Sequence, residues 1–179
     1  MELGFRLHRI TPIHFINVFL KASHACSYQF CQFDHPVLRQ LVYYLLELSR
    51  LSYTLSLEKP SRVAAAALYL ARATLGIQQS QKINSGNEKY WTPTLVHYTG
   101  HTVEDLKHSV LIIHRYQLLG EGSSHTNASF LKYVKQKYHR VSYKTALRVE
   151  DLGFHDLTFG HDDFDFEAGR LMSSGLATF

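Results

Sequence analysis

One stretch constrains this 179-residue chain more than any other. Pro60 and Ser61 lead into residues 63–71, Val-Ala-Ala-Ala-Ala-Leu-Tyr-Leu-Ala. Proline suits a first helical position and alanine is the best helix former, so the stretch predicts a helix that is apolar on nearly every face. Such a helix has to be surrounded, and its small side chains let neighbours approach closely. The longest apolar run is these nine residues, against the ~20 a bilayer span needs. The surroundings are therefore expected to be other helices of one domain, with no membrane partner. Gly76 is expected to end the helix.

The remaining sequence supplies the surrounding helices. Thr11-Pro12 is an N-cap and first-turn signal, and Ile13, Phe15, Ile16, Phe19 and Leu20 follow, which predicts a helix over about 12–25. Asp34-His35-Pro36 repeats the signal. Leu38, Leu41, Leu45, Leu48, Leu51 and Leu55 then keep the helical period for about five turns. Val42, Leu46 and Tyr53 widen that stripe, so this helix is expected to be largely buried. Residues 78–90 lack a period and read as an exposed loop.

Thr92-Pro93 starts a short helix through Leu95, Val96 and Tyr98 that Gly100 stops. Thr102 with Asp105 resembles a capping box for a helix carrying Leu106, Val110, Leu111, Ile113 and His114 to about Leu118. Residues 120–126 read as a polar break, and Phe130, Val134 and Tyr138 suggest one weaker helix. No strand alternation and no internal repeat stand out. The fold expected is all-α: about five helices with the Ala-rich one at the centre, then a weak C-terminal helix and a disordered tail. Expected core residues are Leu41, Leu45, Leu48, Ala65, Ala66, Leu68, Trp91 and Leu95, with Tyr44, Tyr53 and Tyr69 packing beside them. Trp91 immediately precedes a cap, where a large ring pins a helix start to the core.

Charge is unevenly spread. Residues 1–149 hold 18 Lys/Arg and 8 Asp/Glu, whereas residues 150–179 hold one Arg and 7 Asp/Glu. Lys132, Lys135, Lys137, Arg140, Lys144 and Arg148 occupy residues 127–149 without an acidic residue, interleaved with Tyr133, Tyr138 and Tyr143. That pattern is compatible with nucleic acid, but a solvated surface or a bed for the acidic tail is favoured, because the chain carries its own counter-charge. In the tail, Phe154, Phe159, Phe164 and Phe166 alternate with Asp156, Asp162, Asp163, Asp165 and Glu167. Disorder is expected there, with a short docking motif as the alternative.

Little points to chemistry. Two cysteines, Cys26 and Cys31, exclude a disulfide scaffold or a multi-cysteine zinc ribbon and suit a reducing compartment. The N-terminus lacks an apolar signal core. There are 12 histidines; His97 and His101 are four apart, with His108 and His114 beyond, but Gly100 interrupts the first pair. No cysteine or carboxylate completes a ligand set, so neither metal nor cofactor is expected. No nucleophile motif or glycine-rich phosphate loop marks an enzyme. His35 and Arg39 lie one turn apart at a helix start, and Lys21 ends the preceding helix. Together they suggest a shallow pocket for a phosphorylated segment of a partner, the plainer alternative being a solvated basic face.

Five blocks in register carry a resemblance: Ile10-Thr-Pro-Ile-His-Phe15; Tyr44-Leu-Leu-Glu-Leu48 with Leu51 and Tyr53; Pro60-Ser61 through Ala71; Trp91-Thr-Pro-Thr-Leu95 with His97-Tyr-Thr-Gly100; and Lys137-Tyr138 with Val141-Ser142. Over about residues 3–142 they resemble the C-terminal cyclin box of mitotic A- or B-type cyclins. The resemblance implies a linker at 1–11, a cyclin box at 12–142 and an extension with an acidic tail at 143–179. It also implies a non-catalytic regulatory subunit of a cyclin-dependent protein serine/threonine kinase, working in nucleus and cytoplasm. Cyclins of this kind pair two five-helix repeats, the first making most kinase contacts. Leu3 to Arg9 resemble the end of that first repeat, so the chain is expected to hold only the second. Rival readings are a five-helix repeat of the TFIIB type that grips DNA, and a helical scaffold with no kinase partner.

Overall fold

The computed structural model describes residues 10–25, 35–76 and 90–122, followed by 133–134, 136–138, 141 and 152. Regular structure among the described residues is entirely helical, so the chain is all-α. Helix α1 spans Pro12–Ala25, α2 His35–Ser49, α3 Tyr53–Leu57, α4 Pro60–Thr74, α5 Pro93–Thr99 and α6 Val103–Gly122. Each of the four prolines stands at the first or second position of a helix, where its missing N–H removes nothing from the hydrogen-bond ladder. Both cysteines, residues 77–89 and the tail beyond Leu152 lie outside the described residues.

The Ala-rich helix is the hub. α4 packs against α1, α2, α5 and α6, and its residues 63 to 73 are buried without interruption. α6 also covers α2, while α1 touches α2 and α5. Alanines on all sides of α4 let helices of larger side chains close in from several directions, each methyl filling its share of the seam. Gly76 follows the last turn with φ +67° and donates its N–H to the Ala73 carbonyl at 2.9 Å, a left-handed stop that glycine takes without strain.

Leu41, Leu45, Ala65, Ala66, Leu68 and Leu95 are 0% exposed, and Leu48 and Trp91 are buried with them. The exception to the packing expectation is Tyr53, which is 70% exposed. The leucine period runs on to Leu55, but the helix does not. At its end the N–H groups of Arg50, Leu51 and Ser52 turn back three residues, to the carbonyls of Glu47, Leu48 and Ser49. This tighter closure ends α2, and Ser52 takes an extended conformation and caps α3 by accepting the Leu55 N–H at 3.3 Å. The break rotates Tyr53 outward while Leu55 returns to the core.

Two helix starts match their signals. Thr92 accepts the Leu95 N–H at 3.2 Å, and Gly100, at φ +69°, closes α5 with its N–H on the Val96 carbonyl. Thr102 and Asp105 form the reciprocal box: Thr102 Oγ1 accepts the Asp105 N–H at 3.3 Å, and Asp105 Oδ2 accepts the Thr102 N–H at 2.9 Å. The bond from the Thr102 N–H, and then the Thr102 hydroxyl donating to Oδ2 at 2.8 Å, hold the Asp105 carboxyl below its ordinary value. α6 outruns its expected end at Leu118, continuing through Gly120 to Gly122. A glycine inside a helix costs only about 1 kcal/mol and need not break it.

Candidate partner-binding surface

The described surface is organised around two junctions. The first joins the hub to the α5 start. Trp91 Nε1–H donates to the His101 carbonyl at 3.0 Å, and its ring lies 6.0 Å from that of Tyr69. Tyr69 stands edge-on to Tyr90 and donates its hydroxyl to the Leu152 carbonyl at 3.1 Å. Burial holds this phenol above its ordinary value, so it donates at any physiological pH. Arg72, 1% exposed, donates Nε–H to the Tyr90 carbonyl at 2.9 Å and Nη1–H to Ser23 Oγ. One buried guanidinium thus ties α4 to α1 and to the residue before Trp91. The imidazole of His101 contacts Ser61 Oγ at 3.1 Å; burial, then the nearby Arg62, holds it below its ordinary value.

The second junction lies on the outward stripe of α2, where Arg39, Tyr43, Glu47 and Arg50 share one face at helical spacing. Glu47 accepts from Arg50 Nη1 at 2.9 Å and from Lys137 Nζ at 3.0 Å. The Lys137 ammonium also stands 5.1 Å from the Tyr138 ring centre and 5.8 Å from that of Tyr133, while Tyr138 contacts the Tyr44 ring at 6.1 Å. Burial raises the affinity of Glu47 for its proton, but the hydrogen bonds from Lys137 and Arg50 outweigh it and leave the carboxyl below its ordinary value. Glu47 in turn, chiefly through its hydrogen bond, holds Lys137 above its ordinary value. With Val134 and Val141 buried, this pair holds the described residues around Lys137 against the bundle.

The residues suggested for phosphate are only partly brought together. Lys21 is exposed near the end of α1, Arg39 is exposed one turn into α2, and the two helices pack on one another. Among the described residues neither cation makes a hydrogen bond or an ion pair, and only the backbone of His35 is described. The histidines scatter: His97 is exposed and edge-on to Tyr98, His108 is exposed, and His114 is buried. No group of three or more His, Cys, Asp or Glu suited to a metal occurs among the described residues, and no described helix is long and apolar enough to cross a membrane. The Glu47–Lys137 and Ser61–His101 contacts lie 90 and 40 residues apart in sequence, and neither pairing was read from it.

Over residues 10–147 the sequence matches the family described as Cyclin, C-terminal domain. The chain belongs to the cyclin C-terminal domain family. Among curated relatives, Cyclin-A2-2 of Arabidopsis thaliana is 32% identical over 145 residues, covering 81% of this chain and 29% of that protein. Cyclin-A2-3 of the same plant is 33% identical over 155 residues, 86% of this chain and 31% of the relative. G2/mitotic-specific cyclin-B2 of Rana japonica is 39% identical over 105 residues, 59% of this chain and 22% of the relative. The cyclin domain here therefore spans about three-tenths of the A-type relatives it matches. No solved structure matches it. The DNA-gripping alternative gains no support from these matches.

Proposed function

We propose that this cyclin domain acts as a non-catalytic regulatory module for a cyclin-dependent protein serine/threonine kinase in control of the mitotic cell cycle, in nucleus and cytoplasm. The observation that carries this reading is the family match over residues 10–147, together with A- and B-type cyclins as relatives. The fold is suited to such work: a helical hub sealed on all sides is a rigid support, and rigid supports present partner surfaces at little ordering cost. Interferometry with the immobilised full chain and a purified cyclin-dependent kinase tests it. Saturable association is expected, and no association at micromolar kinase overturns the reading.

Within this function, Lys21, His35 and Arg39 take the phosphate of a phosphorylated regulator. Exposure of Lys21 and Arg39 on two helices that pack together supports this. Arg39→Glu is expected to weaken binding of a phosphopeptide and leave its unphosphorylated form unaffected. Unchanged phosphopeptide affinity rules the pocket out.

A further inference from the structure

His101 stands where three parts of the bundle meet. Its backbone serves the α5–α6 turn and the residue before α5. The N–H donates to Thr99 Oγ1 at 3.2 Å, and the carbonyl accepts the Trp91 indole at 3.0 Å. Its ring serves α4, through the 3.1 Å contact between Nε2 and Ser61 Oγ across 40 residues of sequence. One residue therefore links the start of the hub to the seat of its largest buried ring.

A contact made through an imidazole nitrogen depends on the charge of the ring. A neutral ring takes the Ser61 hydroxyl proton at an unprotonated Nε2, whereas an imidazolium carries N–H on both nitrogens and can no longer accept. The surroundings favour the neutral ring. Ser61 is the second residue of α4, where backbone N–H groups without helical partners make the helix end positive, and no acidic residue stands in that turn. Arg62 and Lys59, from the same helix end, both act on the ring against its protonation, and Glu58 is engaged by Arg62 Nη1 at 2.8 Å. From α6, Asp105 pulls toward the charged form, but it is exposed and its Oδ2 already accepts the N–H and the hydroxyl of Thr102. Glu104, in the same turn, acts on Tyr69, and His97 of α5 stands edge-on to Tyr98.

We propose that neutral His101 is a pH-sensitive latch: its ring holds the start of α4 to the α5–α6 turn, and protonation releases Ser61 and loosens the seat of Trp91. The fold holds this imidazole below its ordinary value of 6.5, so on acidification the unfolded chain takes the proton first. The latch thus contributes fully above that value and fades as pH falls through it toward the lowered one. It concerns this chain alone and does not rest on the kinase reading.

Trp91 is the one tryptophan of the chain, so its indole N–H gives a single reporter beside the latch. Exchange of that N–H into deuterated water, followed by NMR and divided by the exchange of free N-acetyltryptophanamide at the same pH, tests the proposal. Protection is expected to fall about fivefold, the worth of one hydrogen bond, between about pH 7.5 and about pH 5.5. His101→Gln, which keeps a polar side chain without a titrating ring, is expected to hold its protection constant over that range. Ser61→Ala is expected to begin at the lowered level and stay there, both variants remaining helical by circular dichroism. The ring-nitrogen shifts of His101 in the unmodified chain need no variant, and an unprotonated Nε2 is expected at the upper pH. Constant protection in the unmodified chain overturns the proposal, as does an equal fall in either variant or a neutral ring protonated at Nε2.

Discussion

Helix α4 and the outward stripe of α2 are both covered by other parts of the chain, but by different physics. α4 is sealed by small apolar side chains on every side, with a buried arginine and a tyrosine hydroxyl serving as fixed ties. The α2 stripe is covered by one ion pair and two rings, all at the edge of solvent. Burial of close-packed methyl groups is insensitive to salt and pH, whereas exposed charge pairs contribute little and respond to both. The hub therefore sets the fold, and the contacts of the stripe respond to salt and pH.

The comparison breaks most visibly if hub substitutions prove cheap. Trp91→Ala is expected to cost about 3–5 kcal/mol in chemical denaturation, since it empties a fully buried ring site and removes the bond to the His101 carbonyl. A loss below about 1 kcal/mol contradicts the burial of Trp91. Ala66→Leu, at 0% exposure on the hub, is expected to cost about 1–3 kcal/mol by overpacking, read from the shift in melting temperature. Gly100→Ala forces a left-handed residue where φ is +69° and is expected to cost roughly 1–2 kcal/mol, although nothing stands within 4 Å of the added methyl.

The smallest expected effects are electrostatic. The folded-state pKa of Asp105 lies below its unfolded value, so the contribution of its box with Thr102 is present above the ordinary aspartate range and lost as pH falls through the lowered value. Asp105→Ala should remove that acid-side slope in stability, and an unchanged slope between about pH 5 and 2 contradicts the assignment. Glu47→Gln should change stability least and lose even that difference at high salt, because the ion pair lies at the surface. Glu47 follows the same sign, contributing above the ordinary carboxylate range and losing it on acidification.

Much of the bundle was legible because its signals are local. Prolines and threonines mark α1, α4 and α5, the Thr102–Asp105 pair marks α6, and the alanine run announces the hub. The α2–α3 break was not legible, because the leucine period is continuous across a turn that backbone hydrogen bonds close. The extension of α6 past Leu118 was masked by two glycines that weaken a helix without ending it. The Glu47–Lys137 seam and the Ser61–His101 contact depend on how distant segments meet, which periodicity does not encode. Lys21 and Arg39 were legible as cations and as neighbours by helix order, but their mutual geometry follows from the α1–α2 packing.

The central claim, that this domain serves protein partners through a rigid helical hub, is tested most directly by parallel calorimetric titrations of the full chain. One uses a purified cyclin-dependent kinase and the other a random duplex DNA, each at low and at physiological salt. The account predicts a saturable 1:1 heat with the kinase at physiological salt and none with the duplex. A steep salt-dependent heat with the duplex and none with the kinase would contradict it.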